Sequence, residues 1–184
     1  PFLIGEMTTA YTQGMAGDHP TYRRVIPTLK HFCANNNEKE RINCSSNVTP
    51  RTLREYYYRA FEASIVRGGT GSMMTAHNEL SGVPACMNPD LKMLVKKQWG
   101  LEFIVTDGAD FSQNVLAHHS HATHAEALAA CLKNGNDVMT DEADMVAAAA
   151  RDALDRGLLT EADIDRAVGN SLSGRFRLGE FDGD

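Results

Sequence analysis

The chain has 184 residues, of which 42% are apolar and 23% are charged, and its formal net charge is −6. This composition is that of one soluble globular domain, and an acidic chain without a basic stripe is not expected to bind nucleic acid. No apolar run approaches the roughly 20 residues of a membrane helix, so we expect no contact with a membrane. A signal peptide is not apparent either, although a chain that starts at Pro1 leaves room for an upstream start.

The four cysteines, Cys33, Cys44, Cys86 and Cys131, are far apart in the sequence and form no CxxC pair. This spacing argues against a zinc site and against a small disulfide scaffold. We therefore expect reduced thiols in a cytoplasmic protein that has no metal and no other cofactor.

Helix and strand patterns alternate from the start of the chain. A helix is predicted over residues 2–15 and a strand over residues 25–32, and a polar loop follows over residues 35–49. Thr49 and Pro50 are then typical of the N-cap and first position of a helix. That helix has one apolar face at helical spacing and ends at Gly68-Gly69.

The second half of the chain repeats this alternation. Strands are predicted over residues 72–76, 103–106 and 137–139, and helices over 89–98, 122–134 and 145–156. Thr160 and Asp163 resemble a capping box for a last helix that ends near residue 176. The pattern predicts an α/β fold of about four βα units.

Polar residues follow the predicted strands, namely Lys30-His31, His77-Asn78, Asp107 and Thr140-Asp141. In α/β barrels the C-terminal rim of the strands carries the chemistry, and in open doubly wound sheets ligands also bind beyond the strand ends. Four units are therefore half of a (β/α)8 barrel or a small open sheet. No glycine motif for a nucleotide phosphate occurs in the right context.

Three polar groups have more than one interpretation. Lys30 and His31 could donate hydrogen bonds to sugar hydroxyls or form an ordinary surface pair. The run 35–38 with Arg41 suits hydroxyls or a carboxylate, and it also suits a solvated loop. Asp107, next to Gly108, could be a glycosidase nucleophile, a metal ligand or a helix N-cap.

The histidine cluster consists of His118, His119, His121 and His124. His121 and His124 are spaced so that they could share a metal on a helix, but the cluster also suits a polar loop that enters a helix. The acidic residues after the fourth strand suit a helix N-terminus, and the role of Asp141 stays open.

An ordered set of motifs resembles the glycoside hydrolase family 3 β-glucosidases over essentially the whole chain. The motifs are Lys30-His31-Phe32-x-Ala34-Asn35-Asn36-x-Glu38-x-x-Arg41, Arg51-Thr52-Leu53-Arg54-Glu55, Met74-Thr75-Ala76-His77-Asn78, Gly82-Val83-Pro84-Ala85, Trp99-Gly100, Phe103-Ile104-Val105-Thr106-Asp107 and Arg175-Phe176-Arg177-Leu178-Gly179.

The resemblance implies that residues 1–184 form a single, incomplete domain, the later part of the family's N-terminal (β/α)8 barrel. It also implies a retaining, exo-acting enzyme that hydrolyses terminal β-linked sugars through a covalent intermediate. Asp107 is then the nucleophile. Lys30, His31, Arg41, Met74 and His77 are then the residues expected to bind the substrate.

Two positions depart from the family pattern. His77 stands where the family usually has a tyrosine that orients the nucleophile, and Gly108 stands where it usually has a tryptophan that stacks on sugar. Cys33-Ala34-Asn35 disfavours the N-acetylglucosaminidase branch, which has a Lys-His-Phe-Pro-Gly type of motif.

The resemblance also leaves out the first part of the barrel and the second domain, which normally supplies the acid/base glutamate. Retaining hydrolysis needs two carboxyl groups about 5–5.5 Å apart. We therefore expect the isolated chain to be weakly active or inactive. Alternatives are a structural fragment that forms a homo-oligomer or pairs with a complementing chain to cover open sheet edges, and a metal-dependent protein that uses the histidine cluster.

Overall fold

The structure, a computed structural model, describes residues 1–183 and begins in the predicted order of helix and strand. Helix α1 (Phe2–Ala16) precedes strand β1 (Thr28–Phe32). The predicted polar loop follows and contains a two-residue strand, β2 (Ser45–Ser46). The α/β class is therefore confirmed in the first third of the chain, and the first strand begins three residues later than predicted.

The next helical stretch has a π-helical segment in its middle. Helix α2 (Pro50–Thr52) leads into π-helical residues Leu53–Tyr57 and then into helix α3 (Tyr58–Gly68). The Thr49 side chain accepts a hydrogen bond from the Thr52 N–H, so the predicted N-cap is confirmed. Gly69, with a φ of 67°, ends the stretch as predicted.

Short elements fill the middle of the chain. They are β3 (Ser72–Thr75), β4 (Glu79–Leu80), β5 (Val83–Pro84), a 3-10 turn (Ala85–Met87) and a π-helical segment (Leu91–Lys96). The strand predicted at residue 72 is confirmed, and the short helix predicted from residue 89 is π-helical where it is regular.

The last part of the chain is mainly helical. Its elements are β6 (Phe103–Val105), α4 (Asp110–Leu116), α5 (His124–Lys133), α6 (Ala143–Asp155) and α7 (Glu161–Arg177). The capping box predicted at Thr160 and Asp163 is present. A second box, from Thr123 and Glu126, begins α5 and was not predicted.

Helix α4 was also missed. It starts after Ala109, whose φ of 63° is left-handed, and no side chain caps it. The polar N-cap by which a helix start is usually recognised is therefore absent.

Strands β1, β3 and β6 form a parallel sheet in that spatial order. In register, Thr28 pairs with Ser72 and Ser72 pairs with Phe103. The fourth predicted strand is reduced to one parallel bridge between Val105 and Val138. The reason is local, because the N–H groups of Asp137 and Val138 both donate to the same carbonyl, that of Ile104.

A second small sheet holds the loops that follow β1 and β3. Strand β2 pairs in parallel with β4, and β4 pairs with β5 through a tight turn at Ser81 (φ 50°) and Gly82 (φ 83°). The Asn78 amide donates to the Cys33 carbonyl and to the Ser46 hydroxyl, both at 3.2 Å. The polar residues after the two strands are therefore fixed side by side.

Two apolar clusters support this arrangement. The first packs the main sheet against α3 and the π-helical segment 91–96, and it includes Phe32, Tyr58, Met73, Leu91 and Ile104. The second lies among α4, α5, α6 and α7, and it includes Phe111, Leu128, Cys131, Ala153 and Leu159.

Helix α1 packs on α3 through small residues and leaves its other face open. Gly5, Thr9, Thr12 and Ala16 are buried. The exposed side carries Phe2, Leu3, Ile4, Met7 and Tyr11, each at least 60% exposed. No helix within residues 1–183 combines the length and the apolar character that crossing a membrane requires.

Candidate active site

Three predicted side chains meet where the strands of the main sheet end. Oδ2 of Asp107 lies 3.1 Å from Nε2 of His77 and 3.3 Å from Nε2 of His31. His31 belongs to β1, His77 follows β3 and Asp107 follows β6, so three consecutive parallel strands each deliver one residue. The expectation that strand-end residues gather on one rim is confirmed for these three.

The backbone fixes the other oxygen of the carboxylate. The Gly108 N–H donates to Oδ1 of Asp107 at 2.8 Å. The Asp107 carbonyl in turn accepts from the Asp110 N–H at 3.0 Å. The carboxylate therefore has a set direction before α4 begins, and its side chain is 19% exposed.

The position of the proton on His77 follows from its surroundings. Its side chain is 7% exposed, and its Nδ1 is buried without a hydrogen-bond partner among residues 1–183. A proton on Nδ1 would be a buried donor without an acceptor, which is costly. The favoured tautomer carries its proton on Nε2, which lies 3.1 Å from Oδ2 of Asp107.

His31 is also favoured as a neutral donor. Burial lowers the pKa of His31 below its ordinary value, and the carboxylate of Asp107 opposes this effect only in part. The nearby charges of Lys30 and Arg41 lower this pKa further. A neutral His31 therefore lies beside the carboxylate, with its Nε2 3.3 Å from Oδ2 of Asp107.

Lys30, Arg41 and Met74 lie around this group without the same direct contact. Lys30 is exposed and lines, with His31 and Asn35, a cleft of about 380 Å³ that also includes aromatic side chains of the 53–61 helical region. Arg41 pairs with Glu38 at 2.9 Å. Met74 sits in β3 opposite Val105, half-buried.

A buried carboxyl group that the sequence reasoning missed lies beside the site. Asp110 is fully buried, and its Oδ2 accepts a hydrogen bond from the Thr75 hydroxyl at 2.6 Å. Burial raises its pKa to about 7, the Thr75 bond opposes this, and the charges of Asp107 and Asp141 add to the rise. Asp110 follows Asp107 by three residues, and this spacing was the one sequence feature that could have indicated a second carboxyl group near Asp107.

The histidine cluster disperses in the structure. His118 contacts the loop after β3, His119 is exposed, and His121 contacts Ser120. His124 packs its ring edge-on against Phe111. Within residues 1–183, His, Cys, Asp and Glu side chains nowhere form a group of three that could hold a metal ion.

The residues after the fourth predicted strand support the rim instead of facing the three-residue group. The Thr140 hydroxyl donates to the Thr106 carbonyl at 2.6 Å. Asp141, whose role the sequence left open, accepts a hydrogen bond from the Ser112 N–H at 3.2 Å. The first contact fixes Thr106, the residue immediately before Asp107, and the second holds helix α4, which follows Asp107.

One protein family matches the sequence over most of its length. Residues 1–173 match the glycosyl hydrolase family 3 N terminal domain. The chain therefore belongs to glycoside hydrolase family 3, and the resemblance seen in the ordered motifs is confirmed.

Similar proteins include β-xylosidases and β-glucosidases. Beta-D-xylosidase 1 of Arabidopsis thaliana is 31% identical over 191 residues, which cover 100% of this chain and 24% of the relative. A beta-glucosidase of Ruminococcus albus is 34% identical over 181 residues, which cover 94% of this chain and 18% of the relative. The chain spans about a quarter of the length of such relatives.

Solved structures agree on the fold. A family 3 exo-β-xylosidase in complex with a xylobiose aziridine probe superimposes with a TM-score of 0.92 at 24% identity, over 99% of this chain and 25% of that one. The β-glucosidase of Listeria innocua in complex with isofagomine gives a TM-score of 0.86 at 25% identity, over 99% of this chain and 26% of that one.

Proposed function

We propose that this sequence is the nucleophile-bearing part of a retaining exo-β-glycosidase, and that Asp107 attacks the terminal sugar. The observation that carries the proposal is the carboxylate of Asp107 at a sheet rim, with two imidazole Nε2 atoms beside Oδ2 and one backbone N–H bonded to Oδ1. Family membership agrees with this chemistry. The parallel order β1-β3-β6 and the bridge to Val138 support the further proposal that these elements are about four units of a (β/α)8 barrel.

The contacts of Asp107 suggest which oxygen reacts. Nε2 of His77 and Nε2 of His31 lie beside Oδ2, at 3.1 Å and 3.3 Å, whereas Oδ1 accepts one hydrogen bond from its neighbour Gly108. We assign the attack to Oδ1, because the two imidazole rings crowd Oδ2. The Oδ1–C1 bond then forms as the C1–oxygen bond to the leaving group breaks, and Oδ2 becomes the ester carbonyl that His31 and His77 face.

The leaving oxygen must take a proton, and water must later hydrolyse the glycosyl ester. Retaining glycosidases assign both tasks to a second carboxyl group, about 5–5.5 Å from the nucleophile. We propose that this second carboxyl group lies outside residues 1–184. The match with Beta-D-xylosidase 1 covers only 24% of that relative's length. We therefore expect residues 1–184 alone to have little or no glycosidase activity.

The first sugar subsite is proposed to include Lys30, His31, Arg41, Met74 and His77. Lys30 and His31 lie on one cleft, and Arg41 is close enough for its charge to affect His31. Ammonium and guanidinium donors suit vicinal hydroxyls. Relatives include enzymes named as β-D-xylosidases and as β-glucosidases, so β-xylosides and β-glucosides are both candidate substrates. Of the two, we propose the β-glucoside.

The cytoplasmic location predicted from the cysteine spacing stays a prediction. Cys33, Cys44, Cys86 and Cys131 are all free thiols in the structure.

Mechanism-based labelling tests the proposed function. The longest natural polypeptide that carries this sequence is treated with a 2-fluoro-β-glycoside or a cyclophellitol-type reagent, and peptide mass spectrometry locates the label. We expect the label on Asp107, and none after Asp107→Asn. The control Asp144→Asn changes an exposed carboxylate and should label normally. A label on any other carboxylate would show that Asp107 is not the nucleophile.

A further inference from the structure

His118 makes two contacts with the loop that carries His77. We infer that His118, paired with Glu79, is a positioning residue that fixes His77 against Asp107. Nε2 of His118 lies 2.8 Å from the His77 carbonyl oxygen, and Nδ1 of His118 lies 3.4 Å from Oε1 of Glu79. The inference rests on the proposed role of Asp107 as nucleophile.

Both ring nitrogens of His118 face oxygen acceptors. A backbone carbonyl can only accept, so Nε2 must carry a proton to bond the His77 oxygen. Nδ1 lies 3.4 Å from Oε1 of Glu79. The Nε2 proton is therefore committed to the His77 carbonyl, and because the His118 side chain is 2% exposed, water competes little for this hydrogen bond.

His77 needs such an anchor because the contacts of its own ring do not fix its position. Its Nε2 lies 3.1 Å from Oδ2 of Asp107, while its buried Nδ1 has no hydrogen-bond partner among residues 1–183. The ring position therefore depends on the peptide that carries it. His118 holds that peptide at its carbonyl. The next residue, Asn78, is held by a hydrogen bond from its side-chain amide to the Cys33 carbonyl.

Helix α4 connects the two ends of this arrangement. Asp107 lies just before α4, and His118 lies just after it, where its N–H donates to the Gln113 carbonyl at 2.9 Å. One rigid element thus carries the carboxylate at one end and the anchor of its imidazole donor at the other. The distance between His77 and Asp107 is set by this element together with β3.

Three variants of the longest natural polypeptide test the inference through the rate of labelling at Asp107. His118→Phe removes both contacts, His118→Gln keeps an N–H donor for the His77 carbonyl, and the matched control His119→Asn changes an exposed neighbour. We expect His118→Phe to slow labelling at saturating reagent by roughly 10–100-fold, because a misplacement of about 1 Å at a reacting group can cost about 10²-fold.

The pattern across the variants separates positioning from a general loss of structure. His118→Gln should recover most of the rate, His119→Asn should match the wild type, and the reagent concentration for half-maximal rate should change little in either. A wild-type rate for His118→Phe overturns the inference. So does a His118→Gln rate as low as that of His118→Phe, when both variants melt at the wild-type temperature.

The tautomer of His118 gives a readout that does not depend on activity. In ¹⁵N NMR of histidine-labelled protein, assigned by loss of the signals in His118→Gln, we expect a proton on Nε2 of His118. A wild-type ring with a bare Nε2 would overturn the hydrogen bond to the His77 carbonyl. If Asp107 is not labelled in the wild type, the proposed function fails, and the NMR result still decides this contact.

Discussion

The Thr75 hydroxyl donates a 2.6 Å hydrogen bond to the Asp110 carboxyl, and both side chains are buried. Thr75 ends strand β3, and Asp110 begins helix α4. The bond therefore ties the strand that leads to His77 to the helix that follows Asp107. A carboxyl group in such surroundings should make folding stability depend on pH.

Asp110→Asn should remove that pH dependence. Burial raises the pKa of Asp110 from 3.8 to about 7 in the folded chain. Between these values the folded state keeps a proton that the unfolded state has lost, so this group stabilises the fold below about pH 4, and the contribution is lost as the pH rises through about 7.

Urea unfolding at pH 4, 6 and 8 measures the effect. One pKa unit corresponds to about 1.4 kcal/mol. The free energy of unfolding of Asp110→Asn, relative to that of the wild type, should therefore rise by roughly 2–4 kcal/mol between pH 4 and pH 8. The asparagine keeps an oxygen that can accept the Thr75 bond. The control Asp144→Asn should differ from the wild type by a constant amount. A constant difference for Asp110→Asn as well would mean that Asp110 titrates normally.

His77→Phe should slow covalent labelling at Asp107. The substitution removes Nε2, which lies 3.1 Å from Oδ2, and keeps an aromatic ring in the same buried place. Loss of one donor beside a charged reacting group costs about 10²–10³-fold in rate. His77→Tyr, which restores a donor of the type usual in the family, should recover part of that loss. Equal rates for all three proteins would mean that the His77 Nε2 contact has no role in the reaction.

Asp137→Ala should destabilise the fold strongly. The Asp137 side chain is fully buried and accepts hydrogen bonds from the Ile104 N–H at 2.8 Å and the Asn170 amide at 2.9 Å. It also pairs with Lys96 and with Arg166. Burial lowers the pKa of Lys96, and the carboxylate of Asp137 opposes that effect.

Removal of Asp137 leaves a buried ammonium and a buried N–H without acceptors, which costs about 3–5 kcal/mol. The free energy of unfolding in urea measures this loss. Asp152→Ala removes an exposed carboxylate paired with Arg156 and should change stability little. If the two variants were equally stable, the buried network would contribute nothing.

Gly68→Ala should lower stability although alanine favours helices. A Cβ at Gly68 would lie 3.1 Å from the Cα of Thr9 and would also meet the Thr12 hydroxyl, so helices α1 and α3 would have to separate. The matched control is Gly14→Ala in α1, where nothing lies within 4 Å. That substitution should stabilise the chain by roughly 0.5–1 kcal/mol. Thermal melting of both variants checks the opposite signs.

The sequence by itself determined the alternation of the longer strands and helices and the family. The cap at Thr49, the box at Thr160 and the stop at Gly69 were predictable because each depends on residues within a few positions of one another. The ordered motifs identified glycoside hydrolase family 3 for a similar reason, since they are read along the chain. Helix α4 escaped because it starts from a left-handed Ala109 without a polar cap.

Only the tertiary structure decided which residues meet. His118 lies 41 residues from the carbonyl that it bonds, and Asp137 lies 41 residues from Lys96. Such contacts depend on how strands align and how helices pack over them, which local patterns do not encode. The sequence placed His31, His77 and Asp107 at strand ends, and the parallel register of β1, β3 and β6 brought their side chains within hydrogen-bonding distance.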